Sequence, residues 1–398
     1  MLADGQYMYI SKTLAASFSL GILTCLSGTA MGMMGDDPRV RVIELPDQDE
    51  NFTARLAFSD DGSTIVIQQN EITNQRFWVY RDGVWELVLD YTGEDWAGTP
   101  RVTGVSADGS VFVITDNNGS LISRDGVFSE VPDLWVDDAG QVVTDGQVYV
   151  RSVSGDGQTL GLAGSSPDVY GTDALIWHEA KGLMNLNIGF TGDEAGHHIL
   201  AMTPDATVIA GSSSMIGRLN NIRDFQGNRE SWVLSAQGLT YIPLLDLGYD
   251  VVTKVMDVSN DGRAVIGISG GYWRNTQPIS PVGIGIEFGP SHSWIWTPEF
   301  GTEQIEAPKR YTQVIVLDVS GNGQTVFGYA DGPNVSEQFF WTRDGGFIPI
   351  WDYLDSRGIE NELYFSAQSI SDDGSLLMGW GYSDDTATFS AVIIDISE

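Results

Sequence analysis

One segment of the chain groups histidines with acidic residues, which makes it the first candidate for chemistry. Asp193 and Glu194 are followed closely by His197 and His198, two of the four histidines in the chain. Imidazole and carboxylate groups are common ligands of zinc and other transition metals, so the segment has enough donors for a metal site. Its spacing is that of a loop, which imposes little geometry on an ion. A solvated acidic turn is therefore the interpretation that we favour.

Other signatures of catalysis or ion binding are weak. The sequence has no zinc-protease helix motif and no phosphate-binding loop. Its recurring acidic hairpins lack the Asp-x-Asp-x-Asp-Gly ladder and the distal Glu of a calcium loop. We therefore assign no catalytic, cofactor-binding or metal-ligating residue and expect no cofactor. A carboxylate pair for glycoside chemistry stays open, because 54 acidic residues offer many pairs.

The charge and composition of the chain limit its partners. The 398 residues include 54 acidic and 20 basic residues, which gives a net charge of −34. Such a charge repels phosphate backbones and anionic headgroups, so neither nucleic acid nor a membrane surface is an expected partner. A hydrophobic content of 42% supports a large core and excludes a disordered chain. We expect a monomer with an unknown ligand, for which a glycan, a peptide and an envelope protein are alternatives.

Residues 1–30 have the features of an export signal. Lys12 precedes an apolar and small-residue run at 14–26, and Gly28-Thr29-Ala30 offers a small-residue cleavage site. The run is too short for a permanent membrane span. The single cysteine, Cys25, is an alternative lipidation site, although Thr24 is a poor residue before a lipobox cysteine. The segment predicts a secreted protein, either extracellular or in the periplasm and cell envelope.

A tetrapeptide of the form Ser-x-Asp/Asn-Gly recurs along the chain, each time between two short apolar segments. The Ser and Asp side chains can cap nearby N–H groups, and Gly supplies the positive φ that a tight hairpin needs. The copies lie at 59–62, 106–109, 154–157, 259–262, 320–323 and 371–374, and a degenerate copy at 203–206 fills the gap in the series.

Each copy opens a unit of four short strands. The second strand often ends in Gly, as at Gly211, Gly267, Gly328 and Gly379. The third strand carries Trp, which indicates packing between units, at Trp78, Trp177, Trp232, Trp294, Trp296 and Trp341. The residue two before the Ser or Thr is mostly small, as expected of a crowded innermost strand, at Ala57, Gly104, Ser152, Ala201 and Ser369. Seven such units predict an all-β, seven-bladed β-propeller that forms one domain over residues 31–398.

The last unit predicts how the propeller closes. Its third strand, residues 390–396, reaches the end of the given sequence without a fourth strand. Residues 38–46 contain a spare apolar strand, Val40 to Leu45, with no unit of its own. The simplest arrangement pairs this strand with the last blade and completes it.

The repeat pattern resembles the HAF-type extracellular repeat family of bacterial secreted proteins. Residues 259–267 followed by Ser293-Trp294-Ile295-Trp296 carry the resemblance best, and residues 320–328 followed by Phe339-Phe340-Trp341 come next. The resemblance implies an exported repeat protein. It supplies no established activity and no catalytic residues.

The connections between strands predict where a ligand binds. The Ser-x-Asp-Gly and Arg-Asp-Gly hairpins lie at one end of the blades, and the long connections 133–145, 164–172, 212–230, 269–291 and 351–364 lie at the other. Aromatic residues in or near these loops could form a platform for a sugar or peptide, although core packing is the interpretation we favour for most of them: Trp96, Trp135, Tyr170, Tyr272, Trp273, Trp351, Tyr353, Trp380 and Tyr382. We predict a binding or scaffolding module, and the alternative is a glycoside hydrolase or lyase with a carboxylate pair at the loop end.

Overall fold

The structure is a computed structural model of the 398-residue chain. It describes residues 37–48, 53–70, 74–92, 100–116, 119–131, 135–136, 142–143, 147–165, 173–186, 188, 195–215, 230–247, 251–274, 286–359, 364–383 and 388–397. Within these residues no helix is long and apolar enough to cross a membrane. The predicted export signal lies outside them.

All but two of the described strands form seven antiparallel sheets of four strands each, so the predicted all-β, seven-bladed β-propeller is confirmed. We number the sheets as blades 1 to 7 in chain order. The chain divides into two compact units, of which the first comprises residues 1–129 and 351–398. Blade 1 contains β2 (Thr53–Phe58), β3 (Ile65–Asn70), β4 (Asn74–Arg81) and β5 (Val84–Thr92). Blade 2 contains β6 (Arg101–Val105), β7 (Val111–Asp116), β8 (Gly119–Arg124) and β9 (Val127–Glu130). Blade 7 contains β28 (Tyr364–Ile370), β29 (Leu376–Ser383), β30 (Thr388–Asp395) and β1 (Val40–Glu44).

The second unit, residues 130–350, holds the other four blades. Blade 3 contains β12 (Gln147–Val153), β13 (Thr159–Ser165), β14 (Asp173–His178) and β15 (Gly182–Asn185). Blade 4 contains β16 (Ala195–Met202), β17 (Ile209–Met215), β18 (Glu230–Ser235) and β19 (Gly238–Ile242). Blade 5 contains β20 (Val251–Val258), β21 (Val265–Arg274), β22 (Ile286–Thr297) and β23 (Gly301–Gln304). Blade 6 contains β24 (Gln313–Val319), β25 (Thr325–Gly332), β26 (Val335–Thr342) and β27 (Gly346–Pro349). A two-stranded ribbon, β10 (Trp135–Val136) and β11 (Val142–Val143), precedes blade 3, and the helix α1 (Ile350–Ser356) follows blade 6.

The strand predicted at 38–46 does complete the last blade. The strand β1 pairs antiparallel with β30, in register from Val40 opposite Ile394 to Glu44 opposite Ser390. Its Ile43 is 7% exposed and packs in a cluster with Ile65 of blade 1. The order β1-β30-β29-β28 therefore makes blade 7 from both ends of the described chain.

All seven repeated turns are built by the same hydrogen bonds. In blade 5, the Ser259 hydroxyl donates to Asp261 Oδ1 at 2.7 Å and accepts from the Ala264 N–H at 2.9 Å. Asp261 Oδ1 also accepts from the Arg263 N–H at 2.9 Å. The turn glycine has φ 67° in blade 5, and in the degenerate copy Ala206 adopts the same left-handed backbone at φ 54°. The turn chemistry predicted from the tetrapeptide is thus confirmed.

These turns make the fold sensitive to acid. The Ser110 N–H lowers the pKa of Asp108, the Thr207 N–H lowers that of Asp205, and the Ser375 hydroxyl lowers that of Asp373. A lowered pKa contributes stability that is present above the unfolded value of about 4 and is lost as pH falls through the folded value. We expect the triple variant Asp108→Asn, Asp205→Asn, Asp373→Asn to lose less stability than the parent in urea unfolding between pH 6 and pH 3.

Blade 6 supplies the control for this acid experiment. Its Asn322 already accepts from Ser320 at 2.9 Å and from Gln324 N–H at 2.9 Å, so the amide can replace the carboxylate in the turn. The variant Asn322→Asp should therefore steepen the acid dependence. Parallel curves for parent and triple variant would contradict the prediction.

Apolar clusters fill the space between neighbouring blades, and the recurring Trp residues belong to them. Trp294 and Trp296 of blade 5 pack with Ala201 and Ala210 of blade 4. Trp232 of blade 4 packs with Ala174 of blade 3. Trp78 and Trp341 pack at the equivalent boundaries of blades 7 and 1 and of blades 5 and 6. The interpretation of these Trp residues as packing between units is confirmed.

Candidate functional site

The histidine segment is only partly described; its His197 is buried and its His198 is half-buried. Asp193 and Glu194 lie outside the described residues. His197 is 6% exposed, and its Nδ1 lies 2.8 Å from the Ser213 hydroxyl oxygen. Burial lowers the pKa of His197, so the ring is neutral at neutral pH. Ser213 is 1% exposed, so this serine–histidine contact is closed to a substrate and serves to satisfy two buried polar groups.

Metal coordination and nucleophilic catalysis each need particular side chains in a particular place. No three His, Cys, Asp or Glu side chains come together as a metal site among the residues that the structure describes. The sequence-based prediction missed a Gly-x-Ser-x-Gly spacing at residues 267–271. Its Ser269 is 1% exposed in the middle of β21, whereas the nucleophile of that motif stands exposed on a strand-to-helix turn. The spacing therefore gives no nucleophile here.

The aromatic residues predicted near the loop end divide into three groups. Trp96, Tyr170 and the side chains of Trp135, Tyr272 and Trp273 lie outside the described part of the structure. Trp380 and Tyr382 pack on Phe389 with ring centroids 5.6 Å and 5.0 Å apart, so they belong to the core of blade 7. Trp351 and Tyr353 lie on α1, where Trp351 is 39% exposed and Arg357 covers the Tyr353 ring at 5.1 Å.

Two aspartates on neighbouring first strands form the most unusual polar group in the second unit. Asp257 lies near the end of β20 in blade 5, and Asp318 lies at the equivalent place on β24 in blade 6. The Val319 N–H lies 3.2 Å from Asp257 Oδ2 and 2.8 Å from Asp318 Oδ1. The two carboxyl groups therefore lie close together, on one N–H group. Both residues are half-buried.

A backbone irregularity positions both aspartates. The register of β20 on β21 shifts between Val255 and Asp257, and that of β24 on β25 shifts between Val316 and Asp318. The same shift occurs in the first strands of blades 2, 3, 4 and 7, whereas blade 1 pairs without one. Such a bulge turns the following side chain away from the regular alternation of a strand. Here it directs two carboxyl groups towards one boundary.

Burial and charge act together on the pair. Burial, then the charge of Asp318 and the hydrogen bond with it, raise the pKa of Asp257 well above its ordinary value. Backbone N–H groups of Val258 and Val319 oppose this shift without reversing it. Ionising both of two neighbouring carboxyl groups is costly, so the pair loses its two protons in separate steps. Between those two steps the pair holds one proton.

The sequence contained a signal for this pair, although the prediction missed it. The position two before the turn Ser or Thr is Ala, Gly or Ser in five of the seven units. Asp257 and Asp318 are the two departures, and they fall in consecutive units. Consecutive blades are neighbours in a propeller, so two departures at one position imply contact.

Comparison with known proteins supports the fold and identifies no family. No family model matches the chain, and no curated protein matches it. An oligogalacturonate lyase in complex with manganese is 10% identical to this chain. The two align over 93% of this chain and 99% of the lyase chain, with a TM-score of 0.50. The likeness lies in the fold alone. The β-propeller domain of the Trilobed protease from Pyrococcus furiosus is 8% identical over 87% of this chain and 98% of its own, with a TM-score of 0.49. A putative TolB from Agrobacterium tumefaciens is 13% identical over 78% and 94%, with a TM-score of 0.40.

Proposed function

We propose that the chain is an exported binding or scaffolding propeller whose ligand contacts the long connections of blades 3, 4 and 5. The support comes from the contrast between the two ends of these blades. At the hairpin end, the turn groups bond within each turn and to the next blade, as when the Asp156 N–H donates to Pro204 O at 3.1 Å and the Asp261 N–H to Gly321 O at 3.1 Å. These turns are short and their polar groups are already bonded, so they offer few side chains for the recognition of a particular ligand.

The other end of the same blades carries long connections, which can supply residues that contact a ligand. The connections between second and third strands span residues 166–172, 216–229 and 275–285, whereas that of blade 6 spans only 333–334. Long irregular connections on a rigid β scaffold are where propellers and other β proteins place their binding residues. In this proposal, residues 31–398 form one monomeric module. Export rests on the signal at 1–30 and on the resemblance to HAF-type secreted repeats.

The enzyme alternative needs two carboxylates at the loop end with aromatic walls. The carboxyl pair that the structure does describe, Asp257 and Asp318, lies next to the repeated turns at the hairpin end. It therefore lends no support to a glycoside hydrolase or lyase site in the loops.

A binding screen with two matched variants tests the proposal. Residues 31–398 would be applied to a glycan array and to immobilised peptidoglycan fragments. We expect a bound glycan or fragment whose Kd rises at least about tenfold when residues 216–229 are replaced by the two-residue connection of blade 6. The control Arg263→Ala, whose side chain is 84% exposed at the hairpin end, should leave Kd unchanged.

Two results would contradict the proposal. Loss of binding in Arg263→Ala with full binding in the loop exchange would place recognition at the hairpin end. Release of shortened oligosaccharides from a bound glycan would make the protein a carbohydrate-active enzyme. A folded loop-exchange variant, judged by an unchanged circular dichroism spectrum, is required for either reading.

A further inference from the structure

Asp257 and Asp318 contact each other across the boundary between two blades. Asp257 belongs to blade 5, and it reaches the Val319 N–H of blade 6 at 3.2 Å. Asp318 belongs to blade 6 and accepts from the same N–H at 2.8 Å. Two carboxyl groups held at one N–H repel each other when both are ionised, whereas a proton on one of them allows that group to donate to the other.

The surroundings of Asp257 show which charge acts on it. The strands that pack against β20 are β16, β17, β18, β21 and β24. With β20 and its turn, they carry these titratable or charged residues: His197, His198, Glu230, Lys254, Asp261, Arg263, Tyr272, Arg274 and Asp318. The charge that acts on the Asp257 carboxyl is that of Asp318. The dominant neighbour is thus a like charge, which a shared proton relieves.

We propose that the carboxyl groups of Asp257 and Asp318 form a proton-binding site that joins blades 5 and 6, and that release of the proton loosens this boundary. With the proton bound, one carboxyl donates to the other, and both blades meet on the Val319 N–H. Once the proton leaves, two half-buried carboxylates face each other at the same place, and both repulsion and the cost of burying charge act against the contact.

The direction of the pH effect follows from the raised pKa of Asp257. A group whose pKa is raised on folding binds its proton more tightly in the folded state, so the folded state is favoured at low pH. That advantage is lost as pH rises from the unfolded value of about 4 through the raised folded value. Over this window the unfolding equilibrium constant rises about tenfold per pH unit for one such group.

Blades 3, 4 and 7 have no carboxyl group at this position. At the equivalent position blade 3 has Ser152, blade 4 has Ala201 and blade 7 has Ser369. Serine and alanine side chains do not ionise in this pH range, so they cannot hold a titrating proton at the boundary with the next blade. The boundary between blades 5 and 6 should therefore respond to pH in a way that the boundary between blades 3 and 4 does not.

The test compares three single Asp→Asn variants, and it separates the pair from an ordinary acidic residue. An amide at position 257 or 318 donates to the remaining carboxylate at any pH, so Asp257→Asn and Asp318→Asn imitate the protonated pair. Asp261→Asn removes one negative charge in the same blade while keeping its turn bonds, as Asn322 does in blade 6. Urea unfolding of the full chain would be measured from pH 4.5 to pH 8.

We expect the parent and Asp261→Asn to weaken together as pH rises. Relative to them, Asp257→Asn and Asp318→Asn should gain at least about tenfold in the folding equilibrium constant at pH 8 and gain little at pH 4.5. Hydrogen exchange, corrected for intrinsic rate, should show faster opening of the Val319 amide in the parent at pH 8 than at pH 5, and no such change in Asp257→Asn.

Three outcomes would overturn the proposal. Parallel pH profiles for the parent and both pair variants would show that the two carboxyl groups do not share a titrating proton. Equal acceleration of exchange in blades 3 and 4 would show a global effect of charge. Protection of the parent at pH 8 by 1 mM calcium, without an equal effect of sodium chloride at the same ionic strength, would make the pair a cation site.

Discussion

Removal of residues 38–46 will lower the free energy of unfolding by about 5 kcal/mol or more. The deletion takes away the whole of β1 and with it the outer pairing of β30 over five residues. Each lost ladder hydrogen bond contributes about 1 kcal/mol. Ile43 and Leu45, which are 7% and 5% exposed, each contribute about 2 kcal/mol through burial.

The segment also holds other parts of the first unit in place. Arg39 donates to Arg357 O at 2.8 Å and to Gly358 O at 2.7 Å, which fixes the chain just after α1. Arg41 donates to Gly62 O in the first repeated turn. The Trp85 indole donates to Glu44 O at 2.8 Å, so blade 1 also contacts β1. The loss is therefore larger than that of a simple edge strand.

Two chains that differ only in residues 37–46, which include β1, provide the measurement. One would begin at residue 37 and the other at residue 47, and both would be unfolded in urea. A synthetic peptide of residues 37–48 added to the shorter chain should restore most of the difference, because it supplies the missing strand in trans. Equal unfolding midpoints for the two chains would show that blade 7 does not depend on β1.

The features that sequence predicted well are those that local chemistry determines. The turn at Ser259 needs only the residues of its own hairpin, so the tetrapeptide was enough to predict its bonds. The pairing of β1 with β30 followed from counting strands, since one blade lacked a strand and one strand lacked a blade. The prediction of the turn used information within one repeat. The prediction of the strand pairing used the number of strands counted over all seven repeats.

The contact between Asp257 and Asp318 could not be predicted in the same way. It depends on a bulge in β20, on a second bulge in β24 and on the approach of two blades, and none of these is visible in a single unit. Comparing the seven units position by position would have found it, because the small-residue rule fails twice in succession. Asp193, Glu194, Trp96 and Tyr170, which the sequence analysis considered as candidates, lie outside the described residues.

The recurring glycines of the second strands show a different limit of local reasoning. The sequence predicted that these strands end at Gly211, Gly267, Gly328 and Gly379, and this was wrong, since β21 continues from Gly267 to Arg274. Gly267 is there because Trp294 lies opposite it, in register on β22. A Cβ at position 267 would lie 2.1 Å from the Trp294 ring and 2.5 Å from Lys254 O.

Gly267→Ala should therefore cost about 3 kcal/mol, as overpacking of a rigid core does. Trp294 is 1% exposed, so its ring has no room to move away, and the second obstacle is a backbone carbonyl. Gly301→Ala in the same blade is the control, because it has φ 73° and open space around the added methyl group. Backbone strain alone should make that control cost about 1 kcal/mol. Urea unfolding of the two variants at one pH measures both values. If Gly267→Ala has a free energy of unfolding no lower than that of Gly301→Ala, blades 4 and 5 repack around the added methyl group.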